Sequence, residues 1–431
     1  MKTKDIMIAN KLSRIGKIKT LMRHSVTKNA IALYIIQAVK ILAPFLILPY
    51  LSRVFTKEEF GVYMVVLSLS AIGLIVTDFG FNLSATYEIA KKRENKKYIN
   101  ELIGSVIVIK LCLLFVCSLA LYSYSFYFPE VVPHNIMFFI CLNIFSQSFI
   151  FSWFFQGIEK MKEITLFVVA SRVIYLVLTG LLIDVKSSIN DLIVLLAISN
   201  LIGSVLSISL VYKYGYKVCI SPLKNTLLHF KNSSQFFISR AAVGVYTSSS
   251  VFIVGASAGV AHAAIYGACE KVYQGSLSLT QPISQALFPF IARTKSLRSL
   301  SLVLLVIGFP VAIFCLLIGL YADQVMGIVF GEAYFNSGQV LQVFLIITSI
   351  NFISIIMGYP AFSALNKVHI ANYTVIFGAF LHLGLLTYIY FLKEITAFNV
   401  ACAVLITETI VMLLRVSIFF FYKREINNEP N

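Results

Sequence analysis

Apolar runs of roughly twenty residues, the length an α-helix needs to cross a bilayer, follow one another along the chain with short polar joins between them. Twelve are expected, near 29–52, 60–82, 101–122, 135–157, 164–184, 191–213, 234–258, 262–288, 301–321, 337–359, 371–392 and 398–421. The eighth is the least regular, interrupted by Pro282 and followed by Pro289. This pattern predicts an all-α integral membrane protein of about 12 transmembrane helices in two six-helix bundles, one over 29–213 and one over 234–421. A basic N-terminal arm (1–28), a linker (214–233) and a tail (422–431) complete the division, all three expected in the cytoplasm. No join has room for a nucleotide-binding domain and no GxxxxGK[ST] motif is present, which argues against ATP hydrolysis by this chain.

Composition leaves no soluble reading, with 59% of residues hydrophobic and 13% charged. The charge is lopsided, 35 Lys and Arg against 19 Asp and Glu for a net of +16. A nucleic-acid partner would need a polar basic domain, and none lies between the runs. The excess therefore points to an anion at or in the membrane. The seven cysteines, without CxxC spacing, are expected as buried apolar residues. The six histidines show no HExxH or HxH spacing, and GxSxG is absent, so neither a metal, a cofactor nor catalysis is expected.

Twenty-five of the 35 cations fall in the arm and on one set of alternate loops, including "KKRENKK" at 91–97. The other set holds four, Arg53, Lys57, Lys186 and Lys393, so both termini are expected in the cytoplasm. Within the arm, Leu12, Ile15, Ile18 and Met22 recur at helical spacing among basic residues. That fits an interfacial helix on anionic lipid or a disordered basic tail that only enforces topology.

Six cations remain inside the expected spans: Lys40, Lys110, Arg172, Arg240, Lys271 and Arg415. Each facing lipid would cost about 2.5–3.5 kcal/mol, so they must snorkel, pair or line water. Arg240 and Arg415 lie toward cytoplasmic ends and can snorkel in part, whereas Lys40 and Lys271 are near mid-span. Acidic partners within spans are few, namely Asp78, Glu101, Glu270 and Glu408, with Glu408 placed to neutralise Arg415 in part. A net positive interior is expected.

On the eighth run Tyr266, Glu270, Gln274, Ser278, Gln281 and Gln285 recur every three or four residues, within an arc of about 120° of a helix. Asn143, Gln147, Asn351 and Ser354 add polar groups on other runs. Such amides either join helices by hydrogen bonds worth about 0.6–2 kcal/mol each or line a polar path. With Lys and Arg for phosphate and amides for hydroxyls, the path suits a phosphate on a polyhydroxylated headgroup. Two sets of six spans also match a common transporter plan with the site between the halves.

Four stretches carry a more specific signal: "LPYLSRVFTKEEFGVYMVVLSLSAIGLIVTDFGFNLSATYEIAKKR" (48–93), "WFFQGIEKMKEI" (153–164), "AAIYGACEKVYQGSLSLTQPISQALFPFIAR" (263–293) and "VFGEAYFNSGQVLQVF" (329–344). Together the chain resembles the O-antigen (Wzx-type) polysaccharide flippases, in the superfamily sharing the multidrug and toxin extrusion (MATE) fold. The resemblance covers nearly the whole chain. It implies two bundles around a central cavity in the bacterial inner membrane. It also implies alternating access that carries O-antigen units on undecaprenyl pyrophosphate from the cytoplasmic to the periplasmic leaflet. The implied partners are that lipid-linked oligosaccharide, membrane lipids, the O-antigen polymerase and the chain-length regulator. Lys40, Arg240 and Lys271 match the family's cationic lumen and are expected to meet the pyrophosphate. Asp78, Glu270, Gln274 and Gln281 are expected to bind sugar or serve coupling, and Pro44, Pro49, Pro282 and Pro289 to mark bending helices. One departure is "YTSSSVFIVGASAG" on the seventh run, which lacks the acid many relatives carry and puts ion coupling in doubt.

Three alternatives stand beside this reading. An exporter of common antigen, capsule or exopolysaccharide units would share every feature above. A drug/cation antiporter on the same fold would need carboxylates as its main intramembrane charges, and here cations outnumber them. An O-antigen polymerase would be expected to carry a large periplasmic loop, and the external joins here are short.

Overall fold

The computed structural model of the protein describes residues 38–428 apart from Lys40, Ile41, Phe128 and Glu130; the side chains of 238–240, 242, 243, 245–247 and 425–428 lie outside that description. The basic arm and the first part of the first expected span, 29–37 with Lys40 and Ile41, therefore fall outside the described residues. Among the described residues every regular element is a helix. In chain order they are α1 (Leu42–Val54), α2 (Lys57–Asp78), α3 (Phe81–Lys91), α4 (Lys96–Tyr127), α5 (His134–Ser148), α6 (Ser152–Gly157), α7 (Met161–Leu182), α8 (Ile189–Lys213) and α9 (Leu223–Ala258). There follow α10 (Val260–Thr294), α11 (Leu297–Val303), α12 (Phe309–Leu320), α13 (Ala322–Phe330), α14 (Gly338–Ile356), α15 (Tyr359–Ala364), α16 (His369–Phe391) and α17 (Ala397–Asn428).

Nine helical stretches are long and apolar enough to cross a membrane, among the described residues. The other three expected runs correspond to α1, to α9 with its apolar segment Ser248–Ala258, and to α10. The polar stripe on α10 dilutes its hydropathy, and α10 runs as one helix through both Pro282 and Pro289. Prolines are tolerated in membrane helices because neighbours re-satisfy the freed carbonyls. A π-helical turn at Leu304–Gly308 joins α11 to α12 just before Pro310, and this span turns Leu305, Val306, Phe309 and Phe314 outward, each more than half exposed. Such a face requires lipid.

Local sequence signals start the helices. Thr56 and Glu59 form a reciprocal capping box at the start of α2, and Ser188 with Asp191 does the same for α8. Helix breaks inside spans matter more, because they expose main-chain carbonyls at membrane depth. Between α2 and α3 the chain turns through Phe79 (φ 44°) and Gly80 (φ 79°). A left-handed phenylalanine costs roughly 1–2 kcal/mol, offset here by stacking of its ring on Phe230 and Phe237 of α9 at 4.4 and 4.6 Å. A Cβ on Gly80 would also lie 2.9 Å from the Phe237 nitrogen, so α9 can dock only on glycine.

Between α5 and α6 the freed groups are collected by α8 and α4. Ser204 Oγ donates to the Phe149 carbonyl at 3.1 Å, Ser207 Oγ accepts from the Phe151 N–H at 3.2 Å, and Lys110 Nζ donates to the Ser148 carbonyl at 2.8 Å. Between α14 and α15, Arg415 of α17 takes the same part. Its Nη1 donates to Ser354 O and Oγ at 2.8 and 3.0 Å, and its Nε to Thr374 Oγ1 at 2.9 Å. Arg415 is thus buried and bonded inward rather than snorkelling. The set α2, α4, α5, α7 and α8 packs together, as does the set α10, α14, α16 and α17, and α2 joins the two sets by packing on α9 and α10.

Candidate functional site

The break after α2 ends Asp78 beside a polar cavity of about 600 Å³ within the N-terminal set. Asn82, one turn on, donates to Asp78 Oδ1 at 2.6 Å, and Lys110 Nζ approaches the same oxygen to 4.0 Å. Lys110 is only 4% exposed. Behind it an amide network fixes the wall: Asn143 donates to Ser70 Oγ at 3.0 Å and its Oδ1 accepts from Gln147 at 3.1 Å and Asn200 at 2.9 Å. Ser171 Oγ donates to Asn200 Oδ1 at 3.1 Å. Satisfied networks of this kind hold side chains in place.

Arg172 lines the same cavity. Its guanidinium lies beside the buried Tyr63 and Tyr175 hydroxyls, which bond each other at 2.8 Å, and it has no acidic partner among the described residues. Two cations therefore face one carboxylate, Asp78. A guanidinium held in a polar cavity inside a membrane protein is complementary to phosphate or carboxylate.

A second, smaller pocket of about 170 Å³ lies in the C-terminal set, lined by Glu270, Gln274 and Gln281 of α10 with Tyr273, Asn351 and Glu408. Of the α10 stripe, Tyr266, Glu270, Gln274 and Gln281 line this pocket while Ser278 and Gln285 do not, and Glu270 and Glu408 are both buried. Asn351 donates to the Tyr273 hydroxyl across the wall. Lys271 is partly buried and its Nζ donates to Gln274 Oε1 at 2.9 Å.

The structure thus brings Glu270, Gln274 and Gln281 together, with Lys271 tied to their edge, and places Asp78 in the other cavity. Lys40 lies outside the described residues, and Arg240 falls on α9 with its side chain outside the description. Lys110, Arg172 and Asn200 line the N-terminal cavity and are not among the site residues expected from the sequence. The first two were visible as intramembrane cations; nothing in the spacing separates Asn200 from a helix-joining amide. The seven cysteines are free thiols, and no cluster of metal-ligating side chains occurs among the described residues.

Residues 26–295 match the model of a family described as "Polysaccharide biosynthesis protein". Two curated relatives, each named "Putative O-antigen transporter", are 28% identical to the chain. One, from Shigella dysenteriae, aligns over 402 residues, covering 90% of this chain and 98% of its own. The other, from Escherichia coli (strain K12), aligns over 328 residues, covering 74% and 79%. Among solved structures, an inward-facing MATE family transporter of the MOP superfamily superposes with a TM-score of 0.64 at 11% identity, covering 89% of this chain and 99% of that one. The lipid II flippase MurJ in an inward closed conformation gives 0.63 at 12% identity, covering 90% and 87%. These two likenesses establish the MATE-type fold of a multi-pass membrane protein.

Proposed function

The chain belongs to the polysaccharide biosynthesis protein family, and from that premise we propose that it is a flippase for a lipid-linked oligosaccharide in the bacterial inner membrane. The substrate is an O-antigen unit on undecaprenyl pyrophosphate, moved from the cytoplasmic to the periplasmic leaflet by alternating access. The names of both aligned relatives support the substrate class. The observation that carries the reading is Arg172, a guanidinium without an acidic partner among the described residues, in a cavity that also holds Lys110 and a wall of amides. A cation antiporter would present acids there.

In this reading Lys40, Arg240 and Lys271 meet the pyrophosphate, joined by Arg172 from the N-terminal cavity. Asp78, Gln147 and Asn200 on one side and Glu270, Gln274 and Gln281 on the other meet hydroxyls of the sugar. The polyprenyl tail stays in lipid. Nothing is cleaved, so the protein is a transporter and not an enzyme; the polymerase and the chain-length regulator act on the unit after it has crossed.

The test is complementation of a strain deleted for this gene, with surface polymer read by immunoblot. Wild-type protein restores the polymer, and Arg172→Gln lowers it at least tenfold at unchanged membrane abundance. Full restoration by Arg172→Gln, and also by Lys40→Ala and Arg240→Ala, would sink the cationic-site reading.

A further inference from the structure

Arg53 and Lys57 are two of the four cations expected on the outer side, where topology gains nothing from positive charge. The structure shows what they do instead. Helix α13 ends at Gly331 (φ 100°), whose N–H closes back on the Gly327 carbonyl at 2.9 Å, leaving the Ile328 and Val329 carbonyls without helical donors. Arg53 Nη1 donates to Val329 O at 2.7 Å and Nη2 donates to Ile328 O, while Nη1 also reaches Pro49 O of its own helix at 2.7 Å. Lys57 Nζ donates to Ala333 O at 3.2 Å and stands 5.3 Å from the centre of the Tyr334 ring. That ring is fully buried, edge-on to Phe60 of α2 at 6.0 Å.

We propose that this cluster is a releasable bolt between the two halves at the periplasmic end: Arg53 and Lys57 close over the C-terminal end of α13, and Tyr334 inserts between the halves. The proposal rests on the alternating-access reading above. Every acceptor is a neutral carbonyl or ring, and Arg53 is exposed. Opening therefore exchanges these bonds for water without stranding a buried carboxylate, which suits a contact made and broken in each cycle. Below the bolt α2 lies so close to α10 that a Cβ on Gly61 would sit 1.9 Å from the Val260 carbonyl oxygen.

The test reads exposure of the joint beneath the bolt. Met64 of α2 is buried, with its Cγ 2.9 Å from where a Cβ on Gly267 of α10 would stand. In a chain with its seven native cysteines replaced, Met64→Cys reports opening through labelling by a membrane-impermeant maleimide added to intact cells. Adding Arg53→Gln and Lys57→Gln is expected to raise the labelling rate about tenfold. Lys186→Gln with Lys393→Gln, outer cations away from the joint, leaves it unchanged. An unchanged rate in the bolt variant, or an equal rise in the control, overturns the proposal. Should the double variant lose its monodisperse peak in detergent, Arg53→Lys decides instead: an increase of about threefold supports the bolt and parental labelling refutes it. Labelling needs no substrate, so its failure leaves the flippase reading intact. Normal labelling behaviour without transport counts against that reading alone.

Discussion

Two of the six intramembrane cations, Lys110 and Arg415, end on carbonyls freed by helix breaks. A guanidinium or ammonium there satisfies an acceptor that lipid-facing backbone cannot leave open, so counting charges overstates how much positive potential remains for a ligand. Replacing Arg415 with Met removes bonds to Ser354 and Thr374. The expected cost is roughly 3 kcal/mol, read as a lower unfolding temperature in detergent, with transport per folded molecule retained. Arg172→Gln should do the reverse, leaving thermal stability near the parent while transport falls. The contrast separates a cation that props a break from one that faces a cavity. Sequence alone shows both as arginines within apolar runs. What distinguishes them is whether a break lies opposite. The break at Met357–Gly358 is announced by Gly358 and Pro360, but the one at Phe149–Phe151 has neither glycine nor proline to mark it.

At the level of elements, the all-helical pattern and the α10 stripe were legible because both rest on periodicity, which packing leaves unaltered. The interruptions were less so. Pro282 and Pro289 interrupt the apolar pattern while α10 continues as one helix through them, whereas Phe79 and Gly80 carry a break that places Asp78 at the cavity. Gly80→Ala combines a left-handed φ with a clash against α9 and is expected to cost about 1–2 kcal/mol or more, measured by thermal unfolding. The docking of α9 is also expected to depend on pH. Burial pushes the His229 imidazole below its ordinary value, with Lys92 adding to the shift and Glu88 opposing it. Tyr98 stands edge-on to the ring at 6.0 Å. The unfolded chain therefore binds this proton more readily, so stability is full above the ordinary histidine range and falls as pH drops through it. His229→Gln should flatten that part of the stability profile between about pH 7 and 5.

At the scale of the molecule, polarity among the described residues is divided between the halves: Lys110 and Arg172 outnumber Asp78 in the N-terminal cavity, while Glu270 and Glu408 line the C-terminal pocket with Lys271 at its edge. A linear pattern gives the face of each helix but not which half that face addresses, so the spacing alone does not separate Asp78, in the N-terminal cavity, from Glu270, Gln274 and Gln281 in the C-terminal pocket. A headgroup carrying both phosphate and hydroxyls has use for both surfaces. The most direct test of the central claim is the sidedness of the undecaprenyl-linked unit in membranes of the deletion strain. With wild-type protein the unit should reach the periplasmic leaflet; with no protein, or with Arg172→Gln, it should accumulate on the cytoplasmic leaflet. Arrival at the periplasmic face in the absence of the protein would contradict the account.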